Sequence, residues 1–392
     1  MFITGCTGFI GKVILEKFLR DIQSFKRIYV MVRAKKGVPL LKRLEEIFKY
    51  EIFEPLFQKV PELRNGWKAK VFPIAGDLTL KGLGLSAEHK NILMNEVDVV
   101  INSAASTNFD DPILESLNIN YFGALRMMDL VEESNSIVSL THVSTAYVNS
   151  NRFGLIEEKI YKLPNGRDAE EYVSDILKLS PEQCQQRKKD IIGAYPNTYT
   201  FTKSCAERVI QKRLKSSKKR VALVRPSIVL SALREPLIGW TETLSAGQVL
   251  FYAMMAGLVK WLHTASYPLD VVPCDIVSNM IIAATAFIGQ TSAGTLKLFH
   301  CTSSYLNPSN FPTLIKATKD YYRFHPLYRE AFKPSVTSVQ DEKLHAWLSY
   351  FNQELPLQVM GAVAKLPYVG SEKMSAQIEL GKKMVGKMKE VQ

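Results

Sequence analysis

The sequence predicts an α/β fold: a doubly wound parallel sheet followed by a small C-terminal helical domain. Three observations predict it. Strand-like and helix-like patterns alternate through roughly the first two hundred residues, as expected of parallel strands joined by helices. A glycine-rich turn, Gly5-Cys6-Thr7-Gly8-Phe9-Ile10-Gly11, separates the first strand pattern from the first helix pattern. A hydroxyl-rich strand end and a Tyr-x-x-x-Lys helix follow later in the chain.

The first strand is expected over residues 1–4, and the helix after it from about Gly11, with Ile14, Leu15 and Phe18 on one apolar face. So short a strand predicts either a start further upstream or weakened cofactor binding. Further strands are expected over 27–32, 69–75, 97–102, 139–144 and 221–224, with a long helix over 112–134. Residues 161–189 are polar and charged and read as an insertion over the site. Apolar helices are expected over 249–262 and 276–288, within a substrate lobe spanning mainly 237–305. The domain reading is a main α/β domain over 1–310 and a helical domain over 311–392, whose end, 381–389, is basic and amphipathic.

Composition narrows the function classes. The chain has 392 residues, 46% of them hydrophobic, and a net charge of +12. That balance suits anionic small molecules or an anionic membrane surface. The basic residues are dispersed and no nucleic-acid motif accompanies them, so nucleic acid is not an expected partner. Five cysteines (Cys6, Cys184, Cys205, Cys274, Cys301) lack metal-like spacing and read as free thiols, and no metal site is expected. No apolar run approaches the roughly twenty residues a membrane span requires.

The glycine turn suits a dinucleotide, because glycine lets backbone approach a pyrophosphate at a helix N-terminus. At the end of the second strand, where an acidic residue would hold a ribose 2′-hydroxyl, stands Arg33, with Lys35 and Lys36 nearby. Cations there favour a 2′-phosphate, hence NADP(H). Tyr199 and Lys203 are four apart and share a helix face, after a helix start at Pro196-Asn197-Thr198. An ammonium beside a phenol makes it a better proton donor. His142-Val143-Ser144-Thr145 sets hydroxyls at a strand's carboxyl end, where they would hold a developing oxyanion.

The order glycine loop, Ser/Thr strand end, Tyr-x-x-x-Lys resembles that of the extended short-chain dehydrogenase/reductases, a Rossmann-type superfamily. More narrowly, the chain resembles the alcohol-forming fatty acyl-CoA reductases, with Arg225-Pro226-Ser227-Ile228-Val229 followed by Glu235-Pro236-Leu237-Ile238-Gly239-Trp240 as the narrowest marker. The likeness runs from Met1 to about Asn310 and continues weakly into a shortened helical domain. It implies Tyr199 as proton donor, Lys203 as its activator and ribose ligand, and Thr145 with Ser144 at the oxyanion. It assigns Gly5, Thr7, Gly8, Phe9, Ile10 and Gly11 to the pyrophosphate, and Arg33 and Lys36 to the 2′-phosphate. Asp77 and Leu78 would border the adenine. Ala104, Ala105 and Pro226 would line the cofactor site, and Asn120 would support the active-site lysine. The implied reaction is NADPH-dependent reduction of a long-chain acyl-CoA to an aldehyde, with release of coenzyme A, and then to an alcohol. The resemblance also implies peripheral membrane contact on the cytosolic face of the peroxisome or endoplasmic reticulum; a homodimer is a separate expectation. Asn102 departs from the histidine usual at that place. A sterol or sugar-nucleotide reductase and a cofactor-binding structural subunit are the competing readings. The Glu235–Trp240 marker disfavours the first, and the intact Tyr199, Lys203 and Thr145 disfavour the second.

Overall fold

The computed structural model describes residues 1–350 and 355, except 23, 243–245, 256, 258, 265–267 and 326–334. In chain order the chain forms β1 (Phe2–Thr4), α1 (Phe9–Asp21), β2 (Ile28–Val32), α2 (Leu40–Phe48), α3 (Glu54–Lys59), α4 (Leu63–Gly66), β3 (Val71–Ala75), α5 (Ala87–Glu96) and β4 (Val99–Asn102). Next come α6 (Ile113–Ser116), a π-helical stretch (Leu117–Phe122), α7 (Gly123–Glu133), β5 (Ser139–Val143), α8 (Ala169–Ile176), α9 (Pro181–Gln186), α10 (Lys188–Ile192), α11 (Thr198–Leu214) and β6 (Arg220–Pro226). The remainder comprises β7 (Ile228–Leu230), α12 (Ala246–Met255), β8 (Trp261–His263), β9 (Val271–Pro273), α13 (Cys274–Gly289), β10 (Leu296–Cys301), α14 (Phe311–Phe324), β11 (Thr337–Val339) and α15 (Glu342–Ser349).

Seven strands form one parallel sheet in the order β10-β6-β5-β4-β1-β2-β3. The chain moves outward from β1 to β2 and β3, then returns to lay β4 on the other side of β1. Ligands of doubly wound sheets bind at the strands' carboxyl ends beside such a reversal. β1 is three residues long, yet all three are buried and it is paired on both sides: Phe2 and Ile3 with Tyr29 and Val30, and Phe2, Ile3 and Thr4 with Val100, Ile101 and Asn102. The centre of the sheet is therefore continuous despite the short strand.

Alternation along the strands sorts side chains to two faces. Leu140 of β5 joins a core with Met127 and Val131 of α7 and Phe201 and Val209 of α11. Thr141, one residue on, accepts a 2.8 Å hydrogen bond from Thr285 of α13 on the opposite face. The helix predicted over 112–134 forms, but with a π-helical stretch inside it.

Three elements differ from expectation. Residues 161–189 are no polar cover: Leu163, Ala169, Val173, Ile176 and Cys184 join the main core, and α8 packs on α11. Their spacing of 169, 173 and 176 is one helix face, hidden in the sequence by the charged residues between. The apolar helix expected over 249–262 ends at Met255, and Gly257 has a positive φ of 69° before β8 begins. The helix expected over 276–288 forms as α13, but it packs on β5, β6 and α1 instead of belonging to a separate lobe.

The chain divides into two compact units. The first comprises 1–227, 231–240 and 272–302; the second comprises 228–230, 241–271 and 303 onward. The second unit is thus discontinuous in sequence, where a single boundary near 310 is predicted. It pairs β8 with β11 in parallel and has its own core of Ala253, Met254, Val259, Leu262, Ile315 and Val336. The basic stretch 381–389 lies outside the described residues. No described helix is long and apolar enough to cross a membrane.

Candidate active site

The glycine turn leaves β1 and enters α1 two residues earlier than predicted, at Phe9. Gly5 has φ +81°, and a Cβ there would lie 2.7 Å from Ser103 Oγ and 2.8 Å from the Ala104 nitrogen. A Cβ on Gly11 would lie 2.2 Å from the Gly5 carbonyl oxygen. Gly8 donates its N–H to that same oxygen at 2.8 Å, and no side chain caps the helix. Thr7 and Gly8 are exposed at the turn, and Phe9 and Ile10 are half-buried. This tight, uncapped helix start fits a pyrophosphate, since it leaves backbone open to an anion at the positive end of α1.

Two strand ends wall the turn. Ala104 donates its N–H to Thr4 Oγ1 at 3.1 Å, and Thr4 Oγ1 donates to Asn102 Oδ1 at 2.6 Å. The Asn102 amide in turn meets His142 Nδ1 at 3.1 Å. Asn102, unusual by family resemblance, thus ties three strands of the sheet through buried polar groups. Burial, and then repulsion from Lys203, holds the His142 imidazole well below its ordinary pKa, so the ring is neutral. Ala105 continues the wall, half-buried. Asp77 accepts from the Thr79 N–H and hydroxyl, which folds the turn after β3, and Leu78 is buried there against Gly123.

At the end of β2, Arg33 and Lys36 are exposed. The guanidinium of Arg43, from α2, donates to the Arg33 carbonyl oxygen. Arg43 is a cation the sequence reading missed; only its position on the first turn of the helix after β2 hints at it.

Tyr199 and Lys203 lie on α11, which Asn197 caps by accepting the Thr200 N–H at 2.9 Å. Thr198 Oγ1 donates to the carbonyls of Phe109 and Asp111, both at 3.1 Å, pinning the loop after β4 to the helix start. Tyr199 is half-buried, its ring 5.9 Å from that of Phe109. Burial pushes its phenol up to about 12, and a hydrogen bond with Thr145 opposes the rise. The predicted influence of the lysine ammonium on the phenol is therefore not what governs it here. Lys203 is buried and donates to the Val143 carbonyl at 2.8 Å. Burial lowers the amine to about 8, against the attraction of Glu207.

Ser144 and Thr145 stand at the end of β5. The Ser144 N–H donates to Val224 at 2.7 Å, and Thr145 Oγ1 donates to the Pro226 carbonyl at 3.4 Å. Ser144 Oγ is buried and finds no partner among the described residues. Asn120, on the π-helical stretch, bonds both polar groups of the Ser106 backbone, at 2.9 and 3.0 Å, and reaches Thr202 at 3.4 Å. Its side chain thus holds the loop after β4, and its tie to the lysine's helix runs through Thr202.

The Glu235–Trp240 segment folds back on the cofactor helix. Glu235 accepts from Lys17 at 2.6 Å and Arg20 at 2.9 Å, both on α1, and from Asn279 of α13 at 3.1 Å. Asp275 accepts the N–H groups of Leu233, Arg234 and Glu235. The Trp240 ring lies 5.5 Å from that of Phe9. The five cysteines are all buried, and none of them forms a disulfide among the described residues. No cluster of metal-ligating side chains occurs among the described residues.

A parallel sheet with this strand order, a glycine turn at its reversal point, a threonine at the end of β5, and a tyrosine and a lysine on α11 mark a nicotinamide-dependent oxidoreductase of the extended short-chain dehydrogenase/reductase type. A family model described as male sterility protein matches residues 3–281. The human fatty acyl-CoA reductase 1 is 30% identical over 351 residues, covering 89% of this chain and 66% of that protein. The same enzyme of Xenopus laevis matches equally. A Drosophila melanogaster relative, CG8306, assigned provisionally to the fatty acyl-CoA reductases, is 33% identical over 377 residues, covering 93% of this chain and 71% of that one. The chain belongs to the male sterility protein family, alongside the fatty acyl-CoA reductases. Among solved structures, the terminal R domain of the myxalamid biosynthetic pathway superposes with a TM-score of 0.63 at 19% identity, over 98% of this chain and 77% of that one. UDP-glucose 4-epimerase from Bifidobacterium longum, bound to NAD+ and UDP, gives 0.53 at 13% identity, over 86% and 85%. Both share the fold.

Proposed function

We propose that this chain reduces long-chain fatty acyl-CoA with NADPH, releasing coenzyme A and yielding a fatty alcohol by way of the aldehyde. The observation that carries the reading is the approach of Thr145 to Tyr199 at the end of β5, with Lys203 one turn along the same helix. The nicotinamide supplies hydride when bound. The chain's own residues do the rest. Thr145 and Ser144 hold the carbonyl oxygen as negative charge grows on it. Tyr199 gives that oxygen its proton through the phenolic O–H. Lys203, buried and cationic, stabilises the phenolate left behind and orients the ribose. Gly5, Gly8 and Gly11 give the pyrophosphate its room. Arg33, Lys36 and Arg43 supply the cations a 2′-phosphate would need.

The test is turnover. NADPH and NADH oxidation are followed across acyl-CoA lengths, with products identified as aldehyde or alcohol. NADPH-linked alcohol from long chains is expected; nucleotide-sugar or sterol turnover in its place overturns the reading. Peripheral attachment to the cytosolic face of peroxisome or endoplasmic reticulum, through the basic 381–389 stretch, belongs to the same proposal. Loss of binding to anionic vesicles when that stretch is removed would support it. A homodimer completes the proposal, and sedimentation velocity decides it.

A further inference from the structure

Behind the tyrosine and lysine lies an ion pair that the proposed reaction does not use. Tyr199, Lys203 and Glu207 are spaced by four along α11 and so share one face. Glu207 and Arg225 are each about 1% exposed. The Glu207 carboxylate accepts from Arg225 Nε at 3.0 Å and from Nη2 at 2.6 Å, a two-pronged bond. The third nitrogen, Nη1, donates to the Lys159 carbonyl at 3.1 Å and meets His300 Nε2 of β10 at 3.0 Å. Arg225 directly precedes Pro226, whose carbonyl holds Thr145. Taking such a pair out of water is costly, and removing one partner leaves the other as a stranded buried charge.

We propose that Glu207 and Arg225 are positioning residues of the active site. The pair locks the helix bearing Tyr199 and Lys203 to the strand end that anchors Thr145, and its carboxylate keeps Lys203 in the ammonium form. This rests on the reductase reading above. The charged and titratable neighbours leave that carboxylate as the acid nearest the lysine along its own helix. On α11 these are Tyr199, the Cys205 thiol, which burial pushes up to about 12, and, beyond Glu207, Arg208, Lys212 and Arg213. β5 brings His142, which Lys203 repels. α6 brings Glu115, the π-helical stretch Tyr121, and the turn after Thr145 brings Tyr147. Asp168 and Glu170, at the start of α8, engage Lys212, and Asp129 and Glu132 of α7 engage Arg213, both at the far end of the helix. Attraction to Glu207 is also the influence that opposes burial at the lysine.

The experiment is the pH profile of kcat/KM for Glu207→Gln, Glu207→Asp and Arg225→Lys, with NADPH binding followed by its own fluorescence and thermal stability measured at each pH. In Glu207→Gln the basic limb is expected to move down by about one pH unit, because the ammonium loses its partner charge. NADPH binding should weaken on the same limb. Glu207→Asp should return the limb toward wild type. Arg225→Lys should lower kcat with the limb in place, since the charge stays and the fork is lost. If Glu207→Gln does not fold, the double variant Glu207→Gln with Arg225→Met removes the stranded cation and should show the same lowered limb. A limb unmoved in the folded variants, with activity falling only as stability falls, overturns the proposal. Absence of turnover in the wild type overturns the reductase reading instead, and the fluorescence titrations then still report on the lysine.

Discussion

At the scale of single residues, the proposed chemistry turns on the phenol of Tyr199 and the amine of Lys203. Tyr199 is pushed up to about 12 and Lys203 down to about 8, each chiefly by burial. The phenol therefore keeps its proton over the physiological range and is available as an acid. The amine begins to lose its charge near pH 8, so activity is expected to fall on the alkaline side of that value. Tyr199→Phe should reduce kcat/KM by about 10²–10⁴-fold with NADPH binding unchanged, measured by steady-state rates beside a fluorescence titration. Gly11→Ala makes a separate point, because its methyl would sit 2.2 Å from the Gly5 carbonyl. That variant should lose NADPH binding while its circular dichroism stays that of the wild type; retained affinity would show that the loop can shift without cost.

At the scale of elements, α1 is held by a charge cluster in which two of the acids, Glu235 and Glu16, respond to pH in opposite directions. Glu235 is drawn down to about 2, its cationic partner Lys17 and the Asn279 amide outweighing burial. Its contribution to stability is therefore present above its ordinary value of 4.5 and is lost as pH falls through about 2. Glu235→Ala should lower the melting temperature most at neutral pH, and the gap from wild type should close in acid. Glu16, fully buried beside Arg20, is raised to about 7 because burial outweighs the guanidinium. Its contribution is full below 4.5 and is lost as pH rises through about 7. Glu16→Gln should accordingly melt higher than wild type at about pH 8 and alike at about pH 4. Both acids touch Arg20, so the two substitutions are not expected to add.

At the scale of the molecule, a net charge of +12 should draw anionic substrates, so KM for acyl-CoA is expected to rise with ionic strength while kcat holds. How much of this molecule is legible in its sequence depends on how far each signal reaches along the chain. The buried runs of β2, β4 and β6 and the four-residue spacing of Tyr199 and Lys203 are local patterns, and they read correctly. So does the cap at Asn197, because a cap needs only its own helix. The apolar face of α8 is obscured by its charged outer face, and the placement of α13 on the main sheet depends on partners far away in the chain. The Asn102–His142 link and the clasp of Glu235 on α1 likewise join residues from distant segments, and no periodicity announces them. Burial, which governs Tyr199, is a property of the assembled core and has no local signature.

The π-helical stretch Leu117–Phe122 sets the phase between the two halves of one helix. A π turn holds one residue more than an α turn, so it acts as a single-residue insertion absorbed without breaking the rod. Removing Ile119 would let the stretch relax to a continuous α-helix and rotate α6 by about 100° relative to α7. Asn120 and the Ser106 loop would then lose their shared register with Thr202 on α11. The site's alignment is thus written partly in residue count rather than residue identity. A deletion of one here should do more harm than any conservative exchange along the same helix.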